Sequence, residues 1–119
     1  MSALQITRAP AQALSALEQG AIVTDLPAWR ICSDGVAIER TLVFPDFIAV
    51  MGFMMQTAFQ AEVLDHHPEW SNVYNRLHIR LTTHDLGGLS DRDLALARII
   101  EALAATSAPE NPDPVENPA

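Results

Sequence analysis

The stretch from residue 45 to residue 65 constrains this chain more than any other. Phe47, Val50, Met51, Met54, Met55, Ala58, Ala61 and Glu62 recur at helical spacing within it. Phe53 and Phe59 fall off that stripe. A helix apolar over so much of its circumference needs cover on more than one side. The domain's own sheet is one cover, and a second subunit is the expected other. Pro68 biases His67 away from helical geometry, so the helix has to end near Asp65 or His66. Gly52, Gln56 and Thr57 interrupt the strongly apolar part, residues 47–59, which is too short to span a bilayer.

On either side the pattern alternates between helix and strand. Residues 1–8 read as a flexible arm. Residues 10–19 suit a short helix, with Pro10 in its first turn, Gly20 as its stop, and Leu14 and Leu17 as its apolar stripe. Residues 29–32 read as a strand, and Ser33-Asp34-Gly35 is a hairpin turn signal. In the following strand, residues 36–44, Ile38, Arg40, Leu42 and Phe44 share one face, and Glu39 and Thr41 share the other. Residues 73–83 alternate again: Val73, Leu77, Ile79 and Leu81 point one way, Tyr74, Arg76, His78, Arg80 and Thr82 the other. One bent strand and two short strands meeting near Asn75 both fit.

Gly87-Gly88 marks a turn. Ser90 with Asp93 resembles a capping box in which Asp replaces the usual Glu or Gln. A helix over residues 91–105 follows, with Leu94, Ala97, Ile100 and Leu103 as its buried stripe. From Ser107 the chain is rich in proline and acid, the composition of a solvated tail. The expected organisation is an arm (1–8), one α+β domain (9–106) and a disordered tail (107–119). Strands joined by tight turns imply an antiparallel sheet with helices packed on one face.

Charge and cysteine usage narrow the partners. The 119 residues carry a formal charge of −8 with only 7 Lys and Arg, and those are scattered. A phosphate backbone demands clustered basic residues, so nucleic acid is not an expected partner. Nor is a membrane. The single cysteine, Cys32, cannot close an internal disulfide, and the first residues show no basic-then-apolar signal pattern. A reduced, cytoplasmic setting is the expectation.

The chemistry is concentrated in two short segments. Glu62 precedes Asp65-His66-His67-Pro68-Glu69-Trp70, and Thr83-His84-Asp85 comes later. These segments hold three of the chain's 4 histidines beside several carboxylates. Glu62 and His66 are four apart, which places both on one helix face if the last turn holds. Imidazole suits proton transfer near neutrality because both of its forms are then populated. Dehydration needs two such transfers: an acid for the departing hydroxyl, and a base for the atom that forms the new double bond. Three histidines and a carboxylate are also a valid zinc set, but adjacent histidines at a helix end diverge, unlike the i, i+4 pair of H-E-x-x-H. No metal is expected. A bare His-His-Pro could equally cap a helix.

The run Glu62-x3-His66-His67-Pro68-Glu69-Trp70, then Asn72-Val73-Tyr74-Asn75, Leu81-Thr82-Thr83-His84-Asp85 and Gly87-Gly88-Leu89-Ser90-x-Arg92-Asp93, resembles the pterin-4a-carbinolamine dehydratases. The resemblance implies a four-stranded antiparallel sheet with three helices on one face. It implies conversion of 4a-hydroxytetrahydrobiopterin to quinonoid dihydrobiopterin and water, in pterin recycling, with the pterin as substrate and no cofactor. By that resemblance His66 and His84 are the proton-transferring pair and His67 binds and orients the pterin. Glu62 and Asp65 set the charge of the cluster, and Trp29 and Trp70 wall the site. Pro68, Thr83, Asp85 and Asp93 support it. The family also forms dimers or tetramers through the long helix and sheet edge. A family fold used as a dimerisation cofactor, without turnover, is the alternative reading.

Overall fold

The computed structural model describes residues 10–107 and 109–110 of the chain. The expected arm, residues 1–8, and most of the expected tail lie outside them. The element order is α1 (Ala16–Asp25), β1 (Arg30–Ile31), β2 (Ile38–Val43), α2 (Phe47–Leu64), β3 (Glu69–Val73), β4 (Arg76–Leu81), a 3-10 turn (His84–Leu86) and α3 (Asp91–Ser107). The strands form one four-stranded antiparallel sheet in the order β1-β2-β4-β3. The α+β class and the single helical layer agree with the expectation.

Strand alternation decides what each sheet face does. In the central pair, Ile38 lies opposite Leu81, Arg40 opposite Ile79, and Leu42 opposite Leu77. All six are buried beneath the helices. The opposite face pairs Glu39 with Arg80 and Thr41 with His78, and it stays polar. The one charged residue on the inner face, Arg40, is matched by Glu101 of α3, which also accepts a hydrogen bond from Trp29 Nε1 at 2.8 Å. A buried guanidinium left without that carboxylate would be strongly destabilising.

Three helix readings need correction. α1 begins at Ala16 rather than near Pro10, because Ser15 and Glu18 form a reciprocal capping box. Gly20 therefore sits inside the helix, and Leu17 is exposed while Leu14 is buried. In α2 the inward residues are Val50, Phe53, Thr57 and Ala61, so Phe53 belongs to the buried stripe and packs on Phe44 with ring centroids 5.0 Å apart. In α3 the fully covered residues are Asp93, Leu96, Ala97, Ile100 and Ala104, with Leu94 and Leu103 at the margin.

α2 is long and apolar enough to cross a membrane by length and composition alone, which departs from the shorter run expected from the sequence. One of its faces is nevertheless committed to the core. Its other face leaves Ile48, Met55, Phe59 and Val63 exposed.

The run from residue 73 resolves into two strands. Tyr74, at φ 51°, and Asn75 form the turn between β3 and β4, and Asn72 Nδ2 donates to the carbonyls of Tyr74 and Arg76 at 2.9 Å each. Val73 is consequently exposed rather than aligned with Leu77. Of the expected tail, residues 107 and 109–110 fall within the described part. Ser107 closes α3, and Glu110 exchanges two backbone hydrogen bonds with Val43 on β2.

Candidate active site

The last turn of α2 sets the geometry of the histidines. Asp65 caps the helix in the left-handed region (φ 53°, ψ 43°), and its N–H reaches back to Ala61 and Glu62. Aspartate tolerates that conformation better than most residues with a Cβ. The reversal swings His66 off the helical track. Glu62 and His66 are therefore not partners, as their spacing suggested. Instead Glu62 Oε1 meets His67 Nε2 at 2.9 Å, in a pair that is exposed on both sides.

His66 turns inward to the start of α3. Its Nε2 lies 2.6 Å from Asp93 Oδ1, and Asp93 is fully buried. Three polar groups fix that carboxylate. Besides His66, the Thr83 hydroxyl donates to Oδ2 at 2.7 Å, and the Ser90 backbone N–H donates to Oδ2 at 2.9 Å. The Ser90 hydroxyl in turn accepts from Arg92 N–H at 3.1 Å. Of the capping box read from the sequence, the Asp93 half is present, while the Ser90 hydroxyl caps the N–H of Arg92 instead of that of Asp93. Asp93 does two jobs: it closes the helix N-terminus and it holds an imidazole.

The third histidine arrives from the sheet. β4 runs out at Leu81, Thr82 donates its hydroxyl to Val36 O at 2.6 Å, and the chain turns through the 3-10 segment that begins at His84. Gly87, at φ 66°, ends that segment, and Thr83 and Gly88 form a β-bridge across it. His84 Nε2 lies 2.6 Å from Glu69 Oε2.

These segments line one cleft of about 490 Å³, bounded by Asp65, His66, His67, Thr82, Thr83, His84, Asp85, Leu86 and Arg92, with Pro10 and Ala11 on its rim. That volume suits a small organic ligand. The N-terminal segment is brought there by a short pairing with the 89–91 loop. Leu14 N–H donates to Leu89 O, and Gln12 and Asp91 exchange hydrogen bonds at 2.9 Å. The sequence suggests a helix for this segment and no place in the site; so short a pairing leaves no periodic signal.

The expected site residues therefore divide. His66, His67, His84, Asp65, Thr83 and Asp85 meet in the cleft. Glu62 and Asp93 stand behind His67 and His66 respectively. Trp29 and Trp70 are not among the lining residues, unlike the walls expected of them, and Pro68 also lies outside the lining. Trp29 is buried, and its indole is held by Glu101 on the far side of the core. Trp70 sits opposite Ile79 in the β3–β4 ladder and packs against the core from there. Among the described residues no group of three or more His, Cys, Asp or Glu is placed to hold a metal ion.

The polar sheet face carries a separate cluster. Glu39 accepts from Arg30 at 3.1 Å and pairs with His78 Nε2 at 2.9 Å. Burial pushes its carboxyl up, but the bonds from Cys32, Arg30 and His78 outweigh burial and leave it below the usual value of 4.5. Burial, with Glu39 alongside, pushes the Cys32 thiol up to about 11. Cys32 stays a thiol at neutral pH and is a poor nucleophile.

A family model described as pterin 4 alpha carbinolamine dehydratase matches residues 12–103. A protein of Novosphingobium aromaticivorans, named "Putative pterin-4-alpha-carbinolamine dehydratase", is 51% identical over 89 residues, 75% of this chain and 93% of its own length. A protein of the same name from Burkholderia orbicola is 46% identical over 96 residues, 81% of this chain and 94% of its own. Among solved structures, a transcriptional coactivator/pterin dehydratase from Brucella melitensis superposes with a TM-score of 0.74 at 40% identity, covering 78% of this chain and 99% of that one. A pterin dehydratase-like protein described as a RuBisCO assembly factor in the alpha-carboxysome shares the fold, with a TM-score of 0.56 at 22% identity over 65% of this chain and 89% of its own.

Proposed function

The chain belongs to the pterin 4 alpha carbinolamine dehydratase family, and from that premise we propose that it dehydrates 4a-hydroxytetrahydrobiopterin to quinonoid dihydrobiopterin and water, in pterin recycling. The single observation that carries this reading is one cleft lined by His66, His67 and His84.

Losing water from a carbinolamine breaks the bond from C4a to its hydroxyl oxygen and forms a C=N bond. One proton must reach the departing hydroxyl, and one must leave the ring nitrogen. The two transfers cancel, so no redox partner enters the balance. His66 and His84 approach from different elements, the α2 terminus and the 3-10 turn, and each donates Nε2–H to a carboxylate. A neutral imidazole that donates from Nε2 keeps its lone pair on Nδ1, which is the atom left to exchange a proton with substrate. His67, the more exposed of the adjacent pair, serves to bind and orient the pterin. General acid–base groups of this kind contribute about 10²–10⁴-fold.

The test is stopped-flow absorbance with chemically generated 4a-hydroxytetrahydropterin. The protein should accelerate dehydration, and His84→Ala should remove most of the acceleration. Equal rates with and without the unaltered protein would discard the reading.

One observation favours a second role alongside the first. The exposed row Ile48, Met55, Phe59 and Val63 on α2 is apolar surface of the kind that marks protein contacts. It supports assembly into a homodimer or homotetramer through α2. Met54 packs on the core, so Met55→Glu is the cleaner variant. It should lower the sedimenting mass and leave dehydration per chain intact if turnover and assembly are separate; loss of turnover together with assembly would join them.

A further inference from the structure

We infer that Glu69 is a positioning residue for His84, and that the site extends onto the polar face of the sheet through the ion pair of Glu69 with Arg80. The inference rests on the reading of His84 as a proton-transferring group.

It begins with strand alternation. Trp70 packs against the core, so its neighbour Glu69 projects to the outer face, where the β3–β4 register sets it opposite Arg80. Its two carboxylate oxygens then take different partners. Oε1 accepts from Arg80 Nε at 3.2 Å, and Oε2 holds His84 Nε2 at 2.6 Å. One carboxylate thus joins a guanidinium anchored on a regular strand to an imidazole on an irregular turn. Arg80 is itself steadied, with its Nη1 3.5 Å from Cys32 Sγ on the far side.

His84 needs such a hold. Its side chain is 80% exposed, so packing does little to restrict the ring. Among the described residues the hydrogen-bond partner of the ring is Glu69. An exposed ring without a partner samples its rotamers on the ps–ns scale. Proton transfer, by contrast, requires the reacting nitrogen within hydrogen-bond reach of its target. A carboxylate on Nε2 limits the ring's rotation and leaves Nδ1 for the cleft. His66 obtains the same service from the buried Asp93, which the sequence marks as a cap. Glu69 lies in the His-His-Pro-Glu-Trp run but was assigned no role from the sequence, because no strand was expected before residue 73 to reveal which way it points.

Two readouts on Glu69→Ala and Glu69→Gln test this. The first is steady-state dehydration. Glu69→Ala should lower kcat roughly 10-fold, a fraction of the loss expected from removing a general acid–base group outright. KM should move by less than about twofold, because a poorly held proton donor weakens the transition state more than ground-state binding. Glu69→Gln keeps an oxygen that accepts from Nε2 and should fall between. The second readout is ¹³C relaxation of the His84 ring, which requires no turnover. The ring should be ordered in the unaltered protein, mobile in Glu69→Ala, and largely ordered in Glu69→Gln. Asp25→Asn, which breaks the exposed pair with Arg98 elsewhere, should change neither readout. If Glu69→Ala leaves ring order unchanged, or leaves kcat unchanged while His84→Ala abolishes activity, the inference is overturned and the dehydratase reading stands. If the unaltered protein gives no acceleration, the dehydratase reading falls, and ring relaxation still decides whether Glu69 holds His84.

Discussion

Two histidines of one cleft meet their carboxylates at the same distance, 2.6 Å, in opposite surroundings. The His66 side chain is 11% exposed and its Asp93 0%, whereas His84 is 80% exposed and its Glu69 43%. The first pair is locked by the helix cap and the Thr83 hydroxyl, and stability depends on it. The second lies at the surface, where even a fully charged pair is worth only about 0–1 kcal/mol. Equal distances therefore conceal unequal energies. Asp93 joins fold to site, whereas Glu69 can change the site while leaving the fold alone.

The largest expected effect follows from the buried pair. Asp93→Ala strips the acceptor from His66, from the Thr83 hydroxyl and from Ser90 N–H together. Breaking a buried hydrogen-bonded pair of this kind costs about 3–5 kcal/mol, so urea unfolding should show a loss of that order, with activity lost as well. His84→Ala should behave in reverse: dehydration falls about 10²–10⁴-fold, while unfolding stability stays within roughly 0.5 kcal/mol. If both variants lost similar stability, the contrast between the two pairs would be gone.

A smaller effect belongs to Asp65, at φ 53°. Asp65→Val places a β-branched side chain in the left-handed region and should cost about 1–2 kcal/mol, visible as a lower Tm, whereas Asp65→Asn should be nearly neutral. The smallest effect lies away from the cleft, at Glu39. Its carboxyl is held below its usual 4.5, so the native state binds its proton less readily than the unfolded chain does. The stability it contributes is present above that pH and fades as the pH falls through the lowered native value. Glu39→Gln should therefore destabilise the protein at neutral pH and converge with the parent in acid, as urea titrations at several pH values would show.

Much of this was legible in the sequence, for physical reasons that also explain the gaps. Alternation grouped Ile38, Arg40, Leu42 and Phe44 on one face, because a period of two leaves only two faces, and the structure buries that one. The Ser90–Asp93 pair marked the start of α3, and the His-His-Pro run marked the end of α2. The periodicity of α2 was harder to read. Its outer face is as apolar as its inner one, so spacing alone did not separate Phe53 from Met55. The partner of each histidine was hidden for a different reason. One left-handed residue, Asp65, redirects the chain, and helix spacing then pairs the wrong imidazole with Glu62. Trp29 and Trp70 were read as walls by resemblance, but strand direction turns Trp70 to the core, and a hydrogen bond to Glu101 holds Trp29 there.

The account depends on three imidazoles serving one cleft while the fourth serves the sheet. His78, paired with Glu39 on the outer face, is a control built into the chain. Titrating the protein with a stable dihydropterin and following the histidine ring signals by NMR tests this directly. The rings of His66, His67 and His84 should shift together along one saturable curve while that of His78 stays in place. Shifts confined to His78, or none at saturating ligand, would contradict it.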